Sequence, residues 1–202
     1  MRHHLSSLLL VSFLLLAATA HAALTPRQLL DKAAAVVGRK GGATAQFTIT
    51  ADKHTMSGTI AIKGSKFYAK TQQTTTWYDG KTQWTYVTDT DEVNISQPTK
   101  AQQTQLNPYT FLSLYKKGYG LSARTVKGMH EVRLVALGTK QPIREAFITL
   151  NPNTYQPTMV RMKQQGKWLT ITIRNFRAVN QSDATFVFPA KKYPTAEVID
   201  LR

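Results

Sequence analysis

The chain has 202 residues, a formal net charge of +15 and no cysteine, which excludes a disulfide-stabilised scaffold and requires an ordinary hydrophobic core. Only eleven residues are acidic, and the sequence contains no clustered metal ligands, no glycine-rich phosphate loop and no nucleophile elbow. We therefore expect neither an enzyme nor a bound metal or other cofactor.

The first 22 residues have the organisation of a secretory signal peptide. Arg2 supplies the positive charge, residues 8–18 are apolar, and residues 20–22 form a small-x-small cleavage site. The apolar run is shorter than the roughly 20 residues that a membrane-spanning helix needs, so a cleaved signal is favoured over a membrane anchor. We expect a periplasmic protein in which residues 1–22 are removed and residues 23–202 form one domain.

Positive charge is the strongest compositional bias of the mature chain. The basic residues are scattered singly along the sequence, and export also argues against a nucleic-acid partner. A transient contact with an anionic membrane surface suits the expected compartment. A basic surface without such a partner explains the charge equally well.

Helical spacing of apolar residues occurs in two short stretches. Residues 25–38 begin with a Thr-Pro capping pair and end at a glycine. Residues 107–118 begin with Asn-Pro and are unusually apolar, so we expect this second helix to lie on a sheet as a lid. Elsewhere apolar residues alternate with period two, which predicts about twelve short strands, including one at 185–188. Their short connectors favour antiparallel neighbours throughout.

A three-stranded meander at residues 75–97 gives the clearest register. Its turns are Asp79-Gly80 and residues 89–91. With two loop residues in each turn, five large side chains share one face of the meander. These are Trp77, Trp84, Tyr86, Val93 and Ile95. The acidic residues at the second turn lack the ligand count and the glycine of a calcium loop, and we interpret them as turn residues.

Five stretches in a fixed order carry a family resemblance: Gln46–Thr48, Gly58–Lys63, Tyr78–Tyr86, Asn107–Leu112 and Asp183–Pro189. The chain resembles the periplasmic outer-membrane lipoprotein carrier (LolA-like) family. The resemblance implies a mainly β (α+β) fold with a single curved, incompletely closed antiparallel half-barrel of about 11–12 strands. Two or three short helices would cover its concave apolar face. It also implies a monomeric carrier that receives acylated lipoprotein from an inner-membrane exporter and passes it to an outer-membrane acceptor.

We hypothesise that the acyl chains contact thirteen apolar side chains in one cavity. The sheet would supply Phe47, Ile49, Ile60, Ile62, Phe67, Trp77, Trp84, Tyr86, Val93 and Ile95, and the lid would supply Phe111, Leu112 and Leu114. Well-known family members have an Arg-Pro pair where this chain has Gly64-Ser65. We expect Lys63 or Lys66 to provide the positive charge that links the lid, although lysine lacks the bidentate fork of arginine.

Two other functions use the same features. A glycolipid or phospholipid shuttle would need the same cavity, and a lipid-sensing regulator of envelope stress would have a related fold. Both alternatives fit the same sequence features, and identification of the material bound to the native protein would distinguish them.

Overall fold

The computed structural model describes residues 23–99, 115–139, 141, 143–164 and 166–202. In this part of the chain there is one α-helix, α1 (Pro26–Val37), followed by twelve strands. The strands are β1 (Ala43–Ala51), β2 (His54–Lys63), β3 (Lys66–Thr71), β4 (Thr74–Tyr78), β5 (Gln83–Val87), β6 (Glu92–Ser96), β7 (Tyr119–Val126), β8 (Met129–Ala136), β9 (Glu145–Leu150), β10 (Pro157–Gln164), β11 (Lys167–Ala178) and β12 (Glu197–Asp200).

All twelve strands belong to one open, curved sheet with the order β12-β6-β5-β4-β3-β2-β1-β11-β10-β9-β8-β7. The predicted mainly β fold and the strand number are confirmed. The expectation of antiparallel pairing throughout is wrong at one edge, where β12 runs parallel to β6. The chain between β11 and β12 is long enough to cross a face of the sheet, and such a crossover is what a parallel neighbour requires.

The first predicted helix is confirmed as α1. The side chain of Thr25 accepts a hydrogen bond from the backbone N–H of Gln28, and the Gln28 side chain accepts one from the Thr25 N–H, which together form a capping box. Pro26 occupies the first turn, where its missing N–H costs nothing, and Gly38 follows the last turn. The apolar side of α1 is buried, and Leu30 and Ala33 are fully covered.

The predicted set of two or three helices is not confirmed, because α1 is the only α-helix among the residues that the structure describes. Most of the second predicted helix, residues 107–114, lies outside those residues. Its last four residues, 115–118, form a turn and a bend. Across the described ranges, no helix combines the length and the apolar character that a bilayer crossing requires.

We call the side of the sheet on which α1 packs the helix face, and the opposite side the outer face. Residues paired across neighbouring antiparallel strands share a face. Ile62 pairs with Ala43 and with Phe67, and all three are buried in the same cluster as the apolar side of α1. The cluster continues across β8, β9 and β10, so the main core lies on the helix face.

Residues 179–202, the C-terminal segment, cross the outer face before they end as β12. Two short 3₁₀ turns, Asp183–Phe186 and Ala190–Lys192, lie on this path. The predicted strand at 185–188 is therefore wrong. Phe186 is fully buried, and the backbone turns in order to place it there rather than to pair with a neighbouring strand.

Candidate lipid-binding surface

The register predicted for the meander is confirmed. Trp84 pairs with both Trp77 and Ile95, and Tyr86 pairs with Val93, so the five large side chains share one face. In the first turn the N–H of Asp79 donates to the carbonyl of Thr82 at 3.2 Å, which leaves two residues in the loop. The second turn has four residues between paired strands rather than two, but an even number preserves the common face.

That face is the outer face, and the prediction of a single cavity is wrong. Tyr68 pairs with Trp77, whereas its neighbour Phe67 pairs with Tyr78 and points to the helix face. Ile60 and Ile62 share the helix face with Phe67. The thirteen predicted residues therefore include two groups on opposite sides of the sheet.

Part of the outer-face group is covered by the protein itself, while Trp84, Tyr86 and Ile95 are half-buried. The ring of Trp77 lies 5.3 Å from Phe188 and 5.7 Å from Tyr193, and Tyr86 lies 4.5 Å from Tyr193, as centroid distances. Trp77 is 4% exposed and Val93 is fully buried. The C-terminal segment thus occupies the surface that these aromatic residues would otherwise offer to a ligand.

The two candidate switch lysines also face the outer side. Lys63 Nζ donates to the carbonyl of Gln181 at 3.0 Å and to Asp183 Oδ1 at 2.8 Å, and Lys66 Nζ lies 3.2 Å from Asp183 Oδ2. These hydrogen bonds hold the pKa of Asp183 below its ordinary value. In the described structure both lysines link the C-terminal segment to the sheet, and their link to a lid stays a prediction.

On the helix face, a group of apolar side chains on β1, β2 and β11 is only partly covered. Ile49 pairs with Met56 on one side and with Ile171 on the other, while Phe47 pairs with Ile173. Leu169 follows at the end of the same row. We call these six residues the apolar strip: Phe47, Ile49, Met56, Leu169, Ile171 and Ile173.

The strip borders the core but is more open than the core. Met56 is 40% exposed, and the other five side chains are half-buried. The main contacts of α1 are with β7 and β8, several strands away from the strip. Among the described residues, the strip is therefore a row of apolar side chains that is less covered than the core.

A glycine shapes the middle of the strip. Gly58 lies opposite Phe47, and a Cβ atom at this position would come within 2.7 Å of Phe47 Cζ and 2.3 Å of the carbonyl oxygen of Lys70. The Phe47 ring thus lies directly over the glycine. Gly58 sets the position of the largest side chain in the strip.

Ile60, Ile62 and Phe67 form the closed part of this face. Their exposed fractions are 7%, 3% and 4%, so they contribute to the packed core beside the strip. The predicted lid residues Phe111, Leu112 and Leu114 lie outside the described residues.

Tyr115, which follows them, joins the core and ties the chain to α1. Its hydroxyl donates to Asp31 Oδ1 at 2.5 Å, and the guanidinium of Arg27 lies 5.8 Å from its ring centroid. Burial, and then the hydrogen bond to Asp31, raise the pKa of Tyr115 to about 12. We call this hydrogen bond between Tyr115 and Asp31 the polar tie of the helix face.

Four residues of the strip were not predicted from the sequence. Met56, Leu169, Ile171 and Ile173 alternate with polar residues in their strands, and this period-two signal assigns them to one face of a strand. The same signal did not reveal that β11 is the neighbour of β1, a pairing between residues more than 100 positions apart. Phe188 and Tyr193 were also missed as the cover of Trp77.

Comparison with known proteins gives a family. A family model described as "Outer membrane lipoprotein carrier protein LolA" matches residues 16–166, about three quarters of the chain. The chain belongs to the LolA family. Members of this family are carrier or binding proteins rather than enzymes, and they are found in the periplasm or the cell envelope.

Several solved structures are similar to this chain at low sequence identity. An uncharacterised conserved protein from Thermus thermophilus is 13% identical with a TM-score of 0.59, over 86% of this chain and 98% of that chain. A LolA superfamily protein from Nitrosomonas europaea is 10% identical with a TM-score of 0.46, over 82% and 99%. The Pseudomonas aeruginosa MucA/MucB complex matches at 13% identity and a TM-score of 0.43, over 81% and 61%. A comparison with curated protein sequences gives no match.

Proposed function

We propose that this LolA-family protein is a periplasmic carrier that shields the acyl chains of lipoproteins and moves them from the inner to the outer membrane. It would receive its cargo from an inner-membrane exporter, pass it to an outer-membrane acceptor, and act as a monomer after removal of residues 1–22. The observation that carries the proposal is the apolar strip, a half-buried surface beside a fully packed core on the helix face.

The energetics of acyl binding favour such a partly covered surface. Burial of a methylene group contributes about 0.8 kcal/mol, so a chain of roughly sixteen carbons would gain on the order of 13 kcal/mol in a fully enclosing pocket. A carrier with that affinity would release its cargo too slowly to act as a shuttle. A surface whose side chains are already half-buried gains less on binding, which suits reversible transfer.

The proposed contacts are restricted to the helix face. Phe47 and Ile49 belong to the strip, and Ile60, Ile62 and Phe67 form the core next to it. Phe111, Leu112 and Leu114 remain candidates for a cover of the same face. We remove Trp77, Trp84, Tyr86, Val93 and Ile95 from the proposed lipid site, because the first of them is packed against the C-terminal segment and all five lie on the other side of the sheet.

Adjacent positions of β11 provide a matched test. Ile171→Gln places an amide in the strip, whereas Thr172→Gln places the same side chain on the outer face one residue later. We expect the first variant to bind a fluorescent fatty-acyl probe and a purified acylated lipoprotein about tenfold or more weakly, because the amide would lose its water without a partner. The second variant should bind like the wild type. Equal binding by both variants would remove the strip from the site.

The identity of the cargo requires a separate measurement. Mass spectrometry of the native protein, isolated from the periplasm without detergent, should detect acylated lipoprotein. Recovery of only phospholipid or glycolipid would replace the proposed cargo with a free lipid and leave the site unchanged. If the native protein instead carried a membrane regulator and neither lipid nor lipoprotein, the result would favour the envelope-stress regulator over the carrier.

A further inference from the structure

A second surface lies on the outer face of β8–β11, away from the C-terminal segment. Arg133, Phe147 and Arg161 are direct cross-strand neighbours on β8, β9 and β10. Trp168 lies opposite Lys163 at the next position, and its ring centroid is 5.9 Å from that of Phe147. We call these five residues the basic ladder.

The ladder alternates cations with aromatic rings at stacking distance. The Arg161 guanidinium lies 5.0 Å from the Trp168 ring and 5.7 Å from the Phe147 ring, and that of Arg133 lies 5.9 Å from Phe147. Lys163 Nζ lies 6.0 Å from Trp168. Cation–π contacts of this kind attract a guanidinium or ammonium group to the face of a ring. The ladder therefore places its cations beside its aromatic rings along one row.

The charges of this surface are poorly balanced. On the outer face of β7–β11 the cations are Arg124, Arg133, Arg161, Lys163, Arg174 and Arg177, and the acidic residues are Glu131 and Glu145. Both acidic residues already pair with arginine: Glu131 with Arg124, and Glu145 with Arg133, each at 2.6 Å. Within the described ranges no carboxylate lies within 4.0 Å of Arg161 or Lys163.

We propose that the basic ladder docks the protein on an anionic phospholipid bilayer. Basic side chains attract anionic headgroups, and half-buried Trp168 and Phe147 have the amphipathic or apolar character that suits the headgroup region. Since LolA-family members work in the periplasm or the envelope, an anionic bilayer is the extended negative surface available to them.

The location of the ladder has a direct structural consequence. Trp168 and Leu169 are successive residues of β11, and they face opposite sides of the sheet. A bilayer held against the ladder therefore leaves the apolar strip free on the other side. The docking proposal is independent of what the strip carries.

Two double variants with equal net charge test the proposal. Arg161→Gln/Lys163→Gln removes two cations from the ladder, and Arg39→Gln/Lys40→Gln removes two exposed cations that follow α1 and lie outside the sheet. Each is measured by sedimentation with phosphatidylcholine vesicles and with mixed phosphatidylcholine–phosphatidylglycerol vesicles. The wild type should bind only the mixed vesicles, and less at high salt.

The ladder double variant should bind the mixed vesicles about 25-fold more weakly, since each cation near an anionic surface contributes about fivefold. The control double variant should bind like the wild type. Equal loss of binding in both variants would show that only the net charge matters and would overturn the proposal. Binding of neutral and anionic vesicles with the same affinity would also overturn it.

A second readout does not depend on charge or on the stability of the double variant. On binding mixed vesicles, the tryptophan emission of the wild type should shift to shorter wavelength as Trp168 enters the headgroup region. Trp168→Phe should lose this shift, because Trp77 is buried under the C-terminal segment and half-buried Trp84 lies on β5, in the other half of the sheet. It should keep most of the binding, because the cations of the ladder remain. An undiminished shift in Trp168→Phe would place the membrane contact elsewhere on the protein.

Discussion

The sheet carries an apolar surface on each face, and the two differ in what covers them. On the outer face, Trp77 is almost completely buried against Phe188 and Tyr193 of the C-terminal segment. On the helix face, the apolar strip borders the core but remains half-buried around Phe47 and Ile171. The outer-face residues Trp77 and Tyr86 already pack against Phe188 and Tyr193. The less conspicuous strip is the surface that we propose for lipid binding.

Among the variants that test this difference between the faces, removal of Trp77 should have the largest effect on stability. Trp77→Ala leaves a cavity beneath Phe188 and Tyr193, and we expect a loss of about 3–5 kcal/mol in the free energy of unfolding, measured with urea. Trp84→Ala, at a half-buried position on the same face, should cost less. The folded fraction of Trp77→Ala should bind an acyl probe with wild-type affinity. If the folded fraction of Trp77→Ala failed to bind the probe, the lipid site would be returned to the outer face.

Gly58 allows a test of the strip itself. Gly58→Ala should destabilise the protein by about 1–3 kcal/mol, because the new methyl group meets the Phe47 ring and the Lys70 carbonyl oxygen. It should also weaken acyl-probe binding, since the displaced ring belongs to the strip. Gly138→Ala is the control, because a Cβ atom there meets nothing within 4 Å. If Gly58→Ala lowered stability but left probe binding intact, the Phe47 ring would have no role in the site.

The polar ties of the two faces should respond to pH in opposite directions. On the helix face, the pKa of Tyr115 rises from 10.0 to about 12. Between these values the unfolded chain loses the proton while the folded protein keeps it, so this contribution to stability is complete below pH 10 and disappears as the pH approaches 12. Tyr115→Phe should cost about 1–2 kcal/mol at neutral pH through the lost hydrogen bond to Asp31. It should also flatten this alkaline slope in urea titrations, and an unchanged slope would assign the slope to other groups.

The outer-face tie should give the smallest effect, and it should appear at acid pH. Asp183 has its pKa lowered from 3.8 by Lys63 and Lys66. Its contribution is therefore present above pH 3.8 and is lost as the pH falls through the lower value of the folded state. Limited acid proteolysis should release the C-terminal segment more readily as this occurs. Asp183→Asn should already show the faster cleavage at neutral pH. If Asp183→Asn and the wild type were cleaved at the same rate, the ion pair would have no role in holding the C-terminal segment on the sheet.

Local signals in the sequence were sufficient for α1 and for the meander. The Thr25-Pro26 pair and Gly38 identify α1, and the even-numbered turns identify which large residues share a face. The relation between neighbouring hairpins was harder to predict. The turn between β3 and β4 contains Gln72 and Gln73 and is held by the Thr71 hydroxyl, which accepts from the Thr74 N–H at 3.0 Å. No glycine or proline indicates this turn, so the face of Trp77 could not be related to that of Phe67.

The remaining errors concern contacts between distant parts of the chain. Pairing of β1 with β11, and of β6 with β12, depends on the whole sheet and leaves no periodic signal. Phe186 and Phe188 alternate as they would in a strand, yet Phe186 lies in a 3₁₀ turn because burial against the outer face outweighs the local β preference. Alternation predicted shared faces well, and it carried no information about what lies over each face.

The parallel strand β12 also affects how the sheet meets other molecules. The N–H of Glu197 donates to the carbonyl of Asp91 at 2.9 Å, and that of Leu201 donates to the carbonyl of Ile95 at 2.8 Å, which occupies the free edge of β6. An exposed strand edge is a template for pairing with another chain, whereas β12 is four residues long and carries charges at both ends. A short, charged edge strand of this kind disfavours edge-to-edge aggregation of a protein whose sheet is open.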